Sequence, residues 1–440
     1  MIFTILTSLQ FLVFLLVINF APMFVYLLIA PEIDYVLYVL SAFCLMLFTA
    51  VRLVEHLISQ REEIIDLTAD SNSDIVLQNA ATQQQFTVVI PAYLPAEKDI
   101  ILDTLNYFLS LQLPIQIFLA YNTPHDLPLE KTLHSLPINA FKVPKSHSKA
   151  ENINYILPHI KTKYVAIFDA DHVPLKDNFI RALYWLKNGY DIVQGTCLPL
   201  TNSFLGQFLS IEFNQMYNIN HLARPRLWGF ALFGGSNGYF KTETLKTLGF
   251  DSSMLTEDID FSIRALLSHV KFQFDRRIIS YEKAPHNIQE LWKQRSRWAQ
   301  GWLQVCCKYT PHILWADSDK MSYRKRIGML LLLPIREWGQ LICIQTLPLA
   351  LALSIQGHDW NWGNIWLFTF IILLALLMIE PLWVSFVKSP KSSTCTWFFI
   401  YAFLSPFYLL FLRLVLFHAY LKEIRGDRYF QITIKSTVEA

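Results

Sequence analysis

The sequence has 440 residues, of which 53% are hydrophobic and 16% charged. That is too apolar for an ordinary soluble enzyme of this length and fits a membrane protein with a soluble part. The formal net charge of +2 gives no basic footprint for nucleic acid. The six cysteines (Cys44, Cys197, Cys306, Cys307, Cys343 and Cys395) show neither C-x-x-C spacing nor a secreted disulfide pattern, so they read as reduced, mostly buried thiols.

An uncharged run from Ile2 to Ala30 and a second from Tyr35 to Val51 are each long enough for a membrane-spanning helix of roughly 20 residues. Only the acidic turn Pro31-Glu32-Ile33-Asp34 separates them. A signal peptide starts with basic residues and has a shorter apolar stretch of about 7–15 residues, so these runs read as an uncleaved hairpin. Arg61 to Gln85, rich in Asp, Ser and Gln and without apolar periodicity, reads as a linker.

Short β-branched runs then alternate with helical patterns. "FTVVIPAY" (86–93), "IQIFLAYN" (115–122), "KYVAIFDAD" (163–171) and "YDIVQGT" (190–196) predict buried strands, each ending in polar or turn residues. Such alternation implies a mostly parallel α/β sheet with ligands at the strand C-termini.

Two acidic clusters follow. Asp169-Ala170-Asp171-His172 ends the third predicted strand, where carboxylates at i and i+2 can aim hard oxygen ligands at one divalent cation, which then neutralises a diphosphate. A solvated turn has the same pattern, and His172 reads as a turn residue or a support to the ligands. "LTEDIDFSIRALL" (255–267) predicts a helix with Ile259, Ile263 and Leu266/Leu267 buried and Glu257 and Asp258 in its first turn, where the helix dipole favours anions. A capping box through Thr256 or Asp258 is the plain alternative.

The helical stretch "HNIQELWKQRSRWAQGWLQVCC" puts Ile288, Leu291, Trp292, Ala299, Trp302 and Cys306 on one stripe with Arg295. The expectation is a helix in the membrane interface with Arg295 snorkelling to headgroups. Gln294, Arg297 and Trp298 share an adjacent face that can offer an amide, a cation and a flat apolar surface to a ligand. Interface tryptophans beside a snorkelling arginine are the plain alternative.

Further apolar runs lie within Ile327–Ile355, Ile365–Val387 and Cys395–Phe417. Arg52, His56 and Arg61 before the soluble part, and Lys320, Arg324, Lys325 and Arg326 after it, place it in the cytoplasm. Lys388 and Lys391 suit a cytoplasmic loop. Either the last run, with Pro406 and Arg413, is not a simple span, or the tail with Lys422, Arg425, Arg428 and Lys435 is external. The expected organisation is a transmembrane hairpin (1–56), a linker (57–85), a cytoplasmic α/β domain (86–285), amphipathic interfacial helices (286–326), C-terminal transmembrane helices (327–418) and a tail (419–440).

"DAD", "TED" and "QRSRW", in this order on this membrane layout, resemble the spaced signature of membrane-integrated family 2 glycosyltransferases, in particular the cellulose synthase, chitin synthase and hyaluronan synthase group. "SKAENINYIL" (148–157) is similar to that group's Lys-Ala-x-Asn-x-Asn segment. The resemblance covers about 86–303. It implies a GT-A-like catalytic domain at the plasma (inner) membrane that takes a nucleotide sugar, a UDP-sugar first of all. Asp169 and Asp171 would hold Mg²⁺ or Mn²⁺ on the diphosphate, with Lys149 beside the nucleotide and Asp258 as general base. Gln294 and Arg297 would bind the diphosphate, Trp298 would stack on the acceptor sugar, and Glu257, Gly235, Ser236 and Asn237 would line the acceptor end.

The chain departs from the family's pattern at "FLAYNTP" (118–124) and "PAYLPAE" (91–97), where Asn122 and Glu97 become the candidates for holding the base. The expected reaction is inverting transfer to a growing β-linked polysaccharide that leaves through the membrane helices. Trp360, Trp362 and Trp366 suit either a channel mouth or an aromatic belt. The alternatives are single addition to a lipid acceptor, as in ceramide glucosyltransferases, and a membrane protein without activity that serves as a companion to a synthase.

Overall fold

A computed structural model describes residues 17, 20–59, 85–316, 321–358 and 395–428. The run Ile2–Ala30 falls largely outside them. So do nearly all of the linker, the run Ile365–Val387, the three tryptophans Trp360, Trp362 and Trp366, and the end of the tail.

The α/β part of the chain is built on one eight-stranded sheet. Its strands are β1 Phe86–Tyr93, β2 Ile115–Asn122, β3 Asn139–Lys142, β4 Tyr164–Ile167, β5 Val173–Pro174, β6 Ile192–Pro199, β7 Gly238–Lys241 and β8 Phe272–Glu282, in the order β3-β2-β1-β4-β7-β6-β8-β5. The β1–β2, β1–β4, β2–β3 and β6–β8 pairs are parallel. β7 runs antiparallel between β4 and β6, and β5 antiparallel to β8. The sheet is therefore mixed but mostly parallel, as the alternation predicted.

Successive strand residues point to opposite faces, and both faces are covered. Val88 and Ile90 pack with Ile117, Leu119, Leu105 and Phe108 on one side. Val89 packs with Phe118, Val165 and Ile167 on the other. This double burial is why the strands read as unbroken apolar runs.

Apart from the short helices Pro22–Tyr26, Leu94–Glu97, Leu129–Ser135 and Thr242–Leu248, the α-helices of the described residues are, in chain order, α1 Pro31–Ser59, α2 Ile101–Ser110, α3 Lys149–Ile156, α4 Asn178–Lys187, α5 Phe204–Gln215, α6 Leu222–Trp228, α7 Glu257–Leu267, α8 Ile288–Leu314, α9 Tyr323–Leu330, α10 Arg336–Cys343, α11 Thr346–Ile355 and α12 Cys395–Ile424. α2 and α4 cover the first face; α3, α7 and the C-terminal half of α8 cover the second. α3 starts with a reciprocal cap. The Ser148 hydroxyl accepts from Glu151 N–H (3.2 Å), and Glu151 Oε2 accepts from His147 N–H (2.6 Å).

Three helices among the described residues are long and apolar enough to cross a membrane: Pro31–Ser59, Tyr323–Ile355 and Thr396–Ile424. The second joins α9, α10 and α11 through a π-turn at Leu331–Ile335 that contains Pro334, the residue whose missing N–H breaks the regular ladder. A second π-turn, Met216–His221, joins α5 to α6.

α8 departs from expectation. Its stripe is taken up by protein: Leu291 and Trp292 join Phe398, Tyr401, Phe411 and Val415 of α12, Ala299 packs, beside Leu303, on Leu416 and Tyr420 of the same helix, and Trp302 and Cys306 join the core on the second face of the sheet. Buried amides cross-link the two helices, with Gln300 Nε2 donating to Glu423 (3.0 Å) and to Asp427 O (2.8 Å) and Gln304 Nε2 donating to Glu423 (2.8 Å). An apolar stripe needs only an apolar partner, and another helix serves as well as acyl chains.

Candidate active site

One cavity of about 990 Å³ opens at the C-terminal end of the parallel strands. Its wall takes Tyr93, Glu97, Asn122, Lys149 and Asp169 from the sheet side, Gly235 and Ser236 from the loop before β7, and Glu257 and Asp258 from α7. Gln294, Arg295, Arg297 and Trp298 of α8 close it, and it continues between the candidate membrane-crossing helices past Arg52, Arg336, Tyr401 and Tyr408.

Asp169 and Asp171 follow β4, where the strand ends and the chain turns. Asp169 N–H donates to Ser236 Oγ (3.1 Å), and its carboxylate pairs with the Lys149 ammonium. Asp171 is buried and accepts from Lys283 N–H at 2.9 Å. Ligand atoms of Asp169, Asp171 and His172 lie within 4.8 Å of one another. Two carboxylates this close suit a hard divalent cation, and the Lys149 ammonium already sits on Asp169 as a cation. His172 is fully buried, with Nδ1 3.0 Å from Ser280 Oγ and Nε2 3.0 Å from Glu282, so its ring is held from both sides.

Lys149, the first residue of α3, also donates to Gly235 O at 2.6 Å. Burial pulls its pKa down, but Asp169, Glu257 and Asp258 outweigh burial and leave it raised. Gly235 has φ +91°, in the region glycine reaches without strain. A Cβ there would sit 3.0 Å from Asp258 Oδ2 and 3.7 Å from Lys149 Nζ, so the bare backbone lets Lys149 and Asp258 approach the same point.

Asp258 Oδ1 accepts from its neighbour Ile259 N–H (2.9 Å). Burial first, and Glu257 second, push its pKa up to about 7, against Lys149, that N–H and Arg297. The capping alternative for this turn is not formed: Thr256 stands at the cap position without a side-chain cap bond. Asp260 is spent structurally, fully buried between Arg264 (2.8 Å), Lys308 (2.9 Å) and the Tyr309 hydroxyl (2.7 Å), which ties α7 to α8. The two helices also touch at Gly301, where a Cβ would lie 2.5 Å from Thr256 Oγ1 and Cγ2.

From α8, Arg297 Nη1 donates to Leu255 O at 3.1 Å, just before the acidic turn. Arg295 corrects an expectation. It pairs with Glu212 at 2.6 Å, its guanidinium lies 4.5 Å from the centre of the Trp298 ring, and its side chain is 10% exposed. It therefore lies in the cavity wall, not among headgroups. Glu212 also accepts from the Tyr408 hydroxyl (3.1 Å), so α5, α8 and α12 meet on one carboxylate. The reading from sequence missed Glu212; its signal was a lone carboxylate inside the apolar run "FLSIEF".

Two further candidates are largely engaged by the fold. Asn122 donates to Ser146 O (2.9 Å) and accepts from Asn152 (2.8 Å), while Glu97 accepts from Tyr93 N–H (2.8 Å); both still line the cavity. Asn237 does not reach it. Its amide is fully buried, donates to Thr196 O (3.0 Å) and Ile278 O (3.1 Å), and stitches the sheet. The acceptor contact expected of Asn237 is thus corrected, because two backbone carbonyls take its donors.

Residues 164–421 match glycosyl transferase family group 2. The poly-beta-1,6-N-acetyl-D-glucosamine synthase of Staphylococcus epidermidis is 27% identical over 217 residues, 48% of this chain and 53% of that protein. A UDP-forming cellulose synthase of Dictyostelium discoideum, named as a catalytic polypeptide of that enzyme, is 26% identical over 174 residues, 37% of this chain and 16% of that protein. The chain thus spans about half or less of the length of these relatives. Among solved structures, the mannosyltransferase PcManGT from Pyrobaculum calidifontis, in complex with GDP-Man and Mn²⁺, superposes with a TM-score of 0.58 at 16% identity, over 91% of this chain and 100% of that one, a likeness of fold. Since the family match runs unbroken from β4 through both acidic motifs and the QRSRW helix into α12, the chain belongs to glycosyl transferase family group 2.

Proposed function

We propose that this glycosyltransferase moves a sugar, with inversion, from a nucleotide sugar to a hydroxyl of a growing β-linked glycan, adding repeatedly as the product passes between the membrane helices. The observation that carries this reading is the placement of Asp258, Lys149, Asp169 and Trp298 around one cavity that continues past Tyr401 and Tyr408 of α12. The names of the relatives, a poly-β-1,6-N-acetylglucosamine synthase and a UDP-forming cellulose synthase, point to the same product class. The GDP-Man and Mn²⁺ held by the structural neighbour support a nucleotide-sugar donor with a divalent cation.

In this reading Asp258 removes the acceptor hydroxyl proton as that oxygen attacks the anomeric carbon. The bond to the diphosphate breaks in the same displacement, the nucleoside diphosphate leaves, and the proton rests on Asp258. A pKa of about 7 suits a base at neutral pH. Arg297 and Gln294 face the leaving diphosphate, and Lys149 stands beside it. Asp169 and Asp171 would hold Mg²⁺ or Mn²⁺, which neutralises charge on the diphosphate when bound. Trp298, with Arg295 on one face, offers the other to a sugar ring, while Glu257, Gly235 and Ser236 bound the acceptor end. The catalytic domain faces the cytoplasm of a multi-pass protein in the plasma (inner) membrane.

The test is to incubate purified protein in lipid with UDP- and GDP-sugars, with and without Mn²⁺ or Mg²⁺, and to size the product. Polymer from one donor supports the proposal. A lipid bearing a single sugar would replace it with single addition, and neither transfer nor donor hydrolysis from any donor would replace it with a non-catalytic membrane component.

A further inference from the structure

Where the cavity wall passes onto the candidate membrane helices, it holds a cluster to which the proposed transfer step assigns no role. Arg52 of α1, Arg224 of α6 and Arg336 of α10 line it together with Glu55 and Glu337. Arg52 Nη1 donates to Asn220 Oδ1 (2.7 Å), and Asn220 Nδ2 donates to Glu55 (2.6 Å). Arg336 lies with its guanidinium 4.3 Å from the centre of the Trp302 ring, with Nε 3.6 Å from Glu337, whose other oxygen accepts from the Tyr420 hydroxyl (2.7 Å). Arg224 has no hydrogen-bond or ion-pair partner among the described residues.

Among the described residues of this cluster three guanidiniums face two carboxylates, and Arg224 is the one of the three without an ion-pair partner there. Burial, with Arg336 and Arg52 adding to it against Glu55, draws the Arg224 pKa down to about 10. The neighbouring His221 is held neutral, well below its usual range, by burial and by Arg224. A half-buried cation repelled by two others is stabilised by an anion brought to it. The backbone is shaped for the same place. Both π-turns of the described residues border the cluster: one ends in Asn220 and His221, the other immediately precedes Arg336. Such wide turns cost regular hydrogen bonding and concentrate at functional sites.

We propose that Arg224, Arg52 and Arg336 form a binding site for a phosphate group, occupied by the headgroup of an anionic phospholipid. Guanidinium forks match phosphate oxygens bidentately. Arg52 and Arg336 belong to the helices Pro31–Ser59 and Tyr323–Ile355, both long and apolar enough to cross a membrane, so two of the three arginines stand on elements suited to meet lipid. The other source of the same chemistry is a soluble phosphate drawn from the donor end of the cavity.

Binding of radiolabelled dioctanoyl phosphatidate to the full-length protein in detergent separates these, with unlabelled phosphatidate, phosphatidylcholine, inorganic phosphate and pyrophosphate as competitors. This readout does not depend on transfer activity. Saturable binding is expected, displaced by phosphatidate and not by phosphatidylcholine, and weakened roughly 10- to 100-fold in Arg224→Gln, the worth of a lost charged hydrogen bond. Arg224→Lys, which keeps the charge and loses the fork, should fall between the two, and it carries the comparison if Arg224→Gln does not elute as a folded protein. Displacement by pyrophosphate at lower concentration than by phosphatidate supports the phosphate site and assigns it to the soluble source. Equal displacement by phosphatidylcholine, or wild-type affinity in a folded Arg224 variant, overturns the proposal.

Discussion

If Asp258 is the base, the rate must follow its ionisation. With a pKa of about 7, about a tenth of the carboxylate is ionised at pH 6 and about nine-tenths at pH 8, so kcat/KM should climb nearly tenfold across that interval and then level. An ordinary aspartate near 3.9 would leave the profile flat there. The sign follows from the role: only the deprotonated form accepts the hydroxyl proton, so activity is lost as pH falls. Lys149→Met removes a cation that holds this pKa down, so the rising limb should move to higher pH, whatever the variant does to donor affinity. Asp258→Asn should lower kcat by about 10²–10⁴-fold and abolish the limb. The assay is nucleoside diphosphate release at saturating acceptor and limiting donor, from mildly acidic to mildly alkaline pH. A flat wild-type profile, or a limb that survives in Asp258→Asn, would refute the reasoning.

Gly301→Ala should drive Cβ into Thr256 and displace the acidic turn; a displacement near 1 Å corresponds to about a 10²-fold loss in kcat, read beside an unchanged donor KM. Arg295→Ala should shorten the product and lower yield by leaving Glu212 without its partner at 2.6 Å, and Glu212→Gln in the same chain should restore part of that yield; no rescue would mean that the pair is not what matters. Trp298→Ala should shorten polymer more than it slows acceptor-free donor hydrolysis, checked by sizing product and counting free sugar. Asp169→Ala and Asp171→Ala should each remove the response of the rate to added Mn²⁺ or Mg²⁺, measured after chelation and titration back.

The four predicted strands and the mostly parallel α/β class were legible because each rests on local pattern, a buried run and its alternation with helical stretches; the grouping of both acidic motifs with the QRSRW helix was legible only through the family resemblance, since each motif alone has a plain structural reading. What the stripe on α8 packs against was not legible. An apolar face carries no label for lipid or for α12, and so Arg295 was assigned outward when Glu212 and Trp298 hold it inward. Asn237 illustrates the converse. A polar residue in a Gly-rich loop reads as a ligand, yet two backbone carbonyls, on Thr196 and Ile278, take its donors. β3, β5, β7 and β8 were not anticipated, since β3 and β7 span four residues each, β5 spans two, and β8 interleaves polar residues with apolar ones.

The amide ties between α8 and α12 bear on where this protein can be divided. Leu255 N–H donates to Gln304 (3.1 Å), Gln304 and Gln300 donate onward to Glu423, and Arg297 donates to Leu255 O. The acidic turn thus leans on a helix whose far side is fastened to a membrane span. A fragment that stops at residue 285 keeps every strand and loses that buttress. One that runs on to Leu314 keeps the buttress but bares Leu291 and Leu303, whose partners Phe398, Val415 and Leu416 have gone. Both cuts therefore cost the acidic turn or its buttress a partner, and α12, long and apolar enough to cross a membrane, serves as a mechanical support of the cavity that holds Asp258.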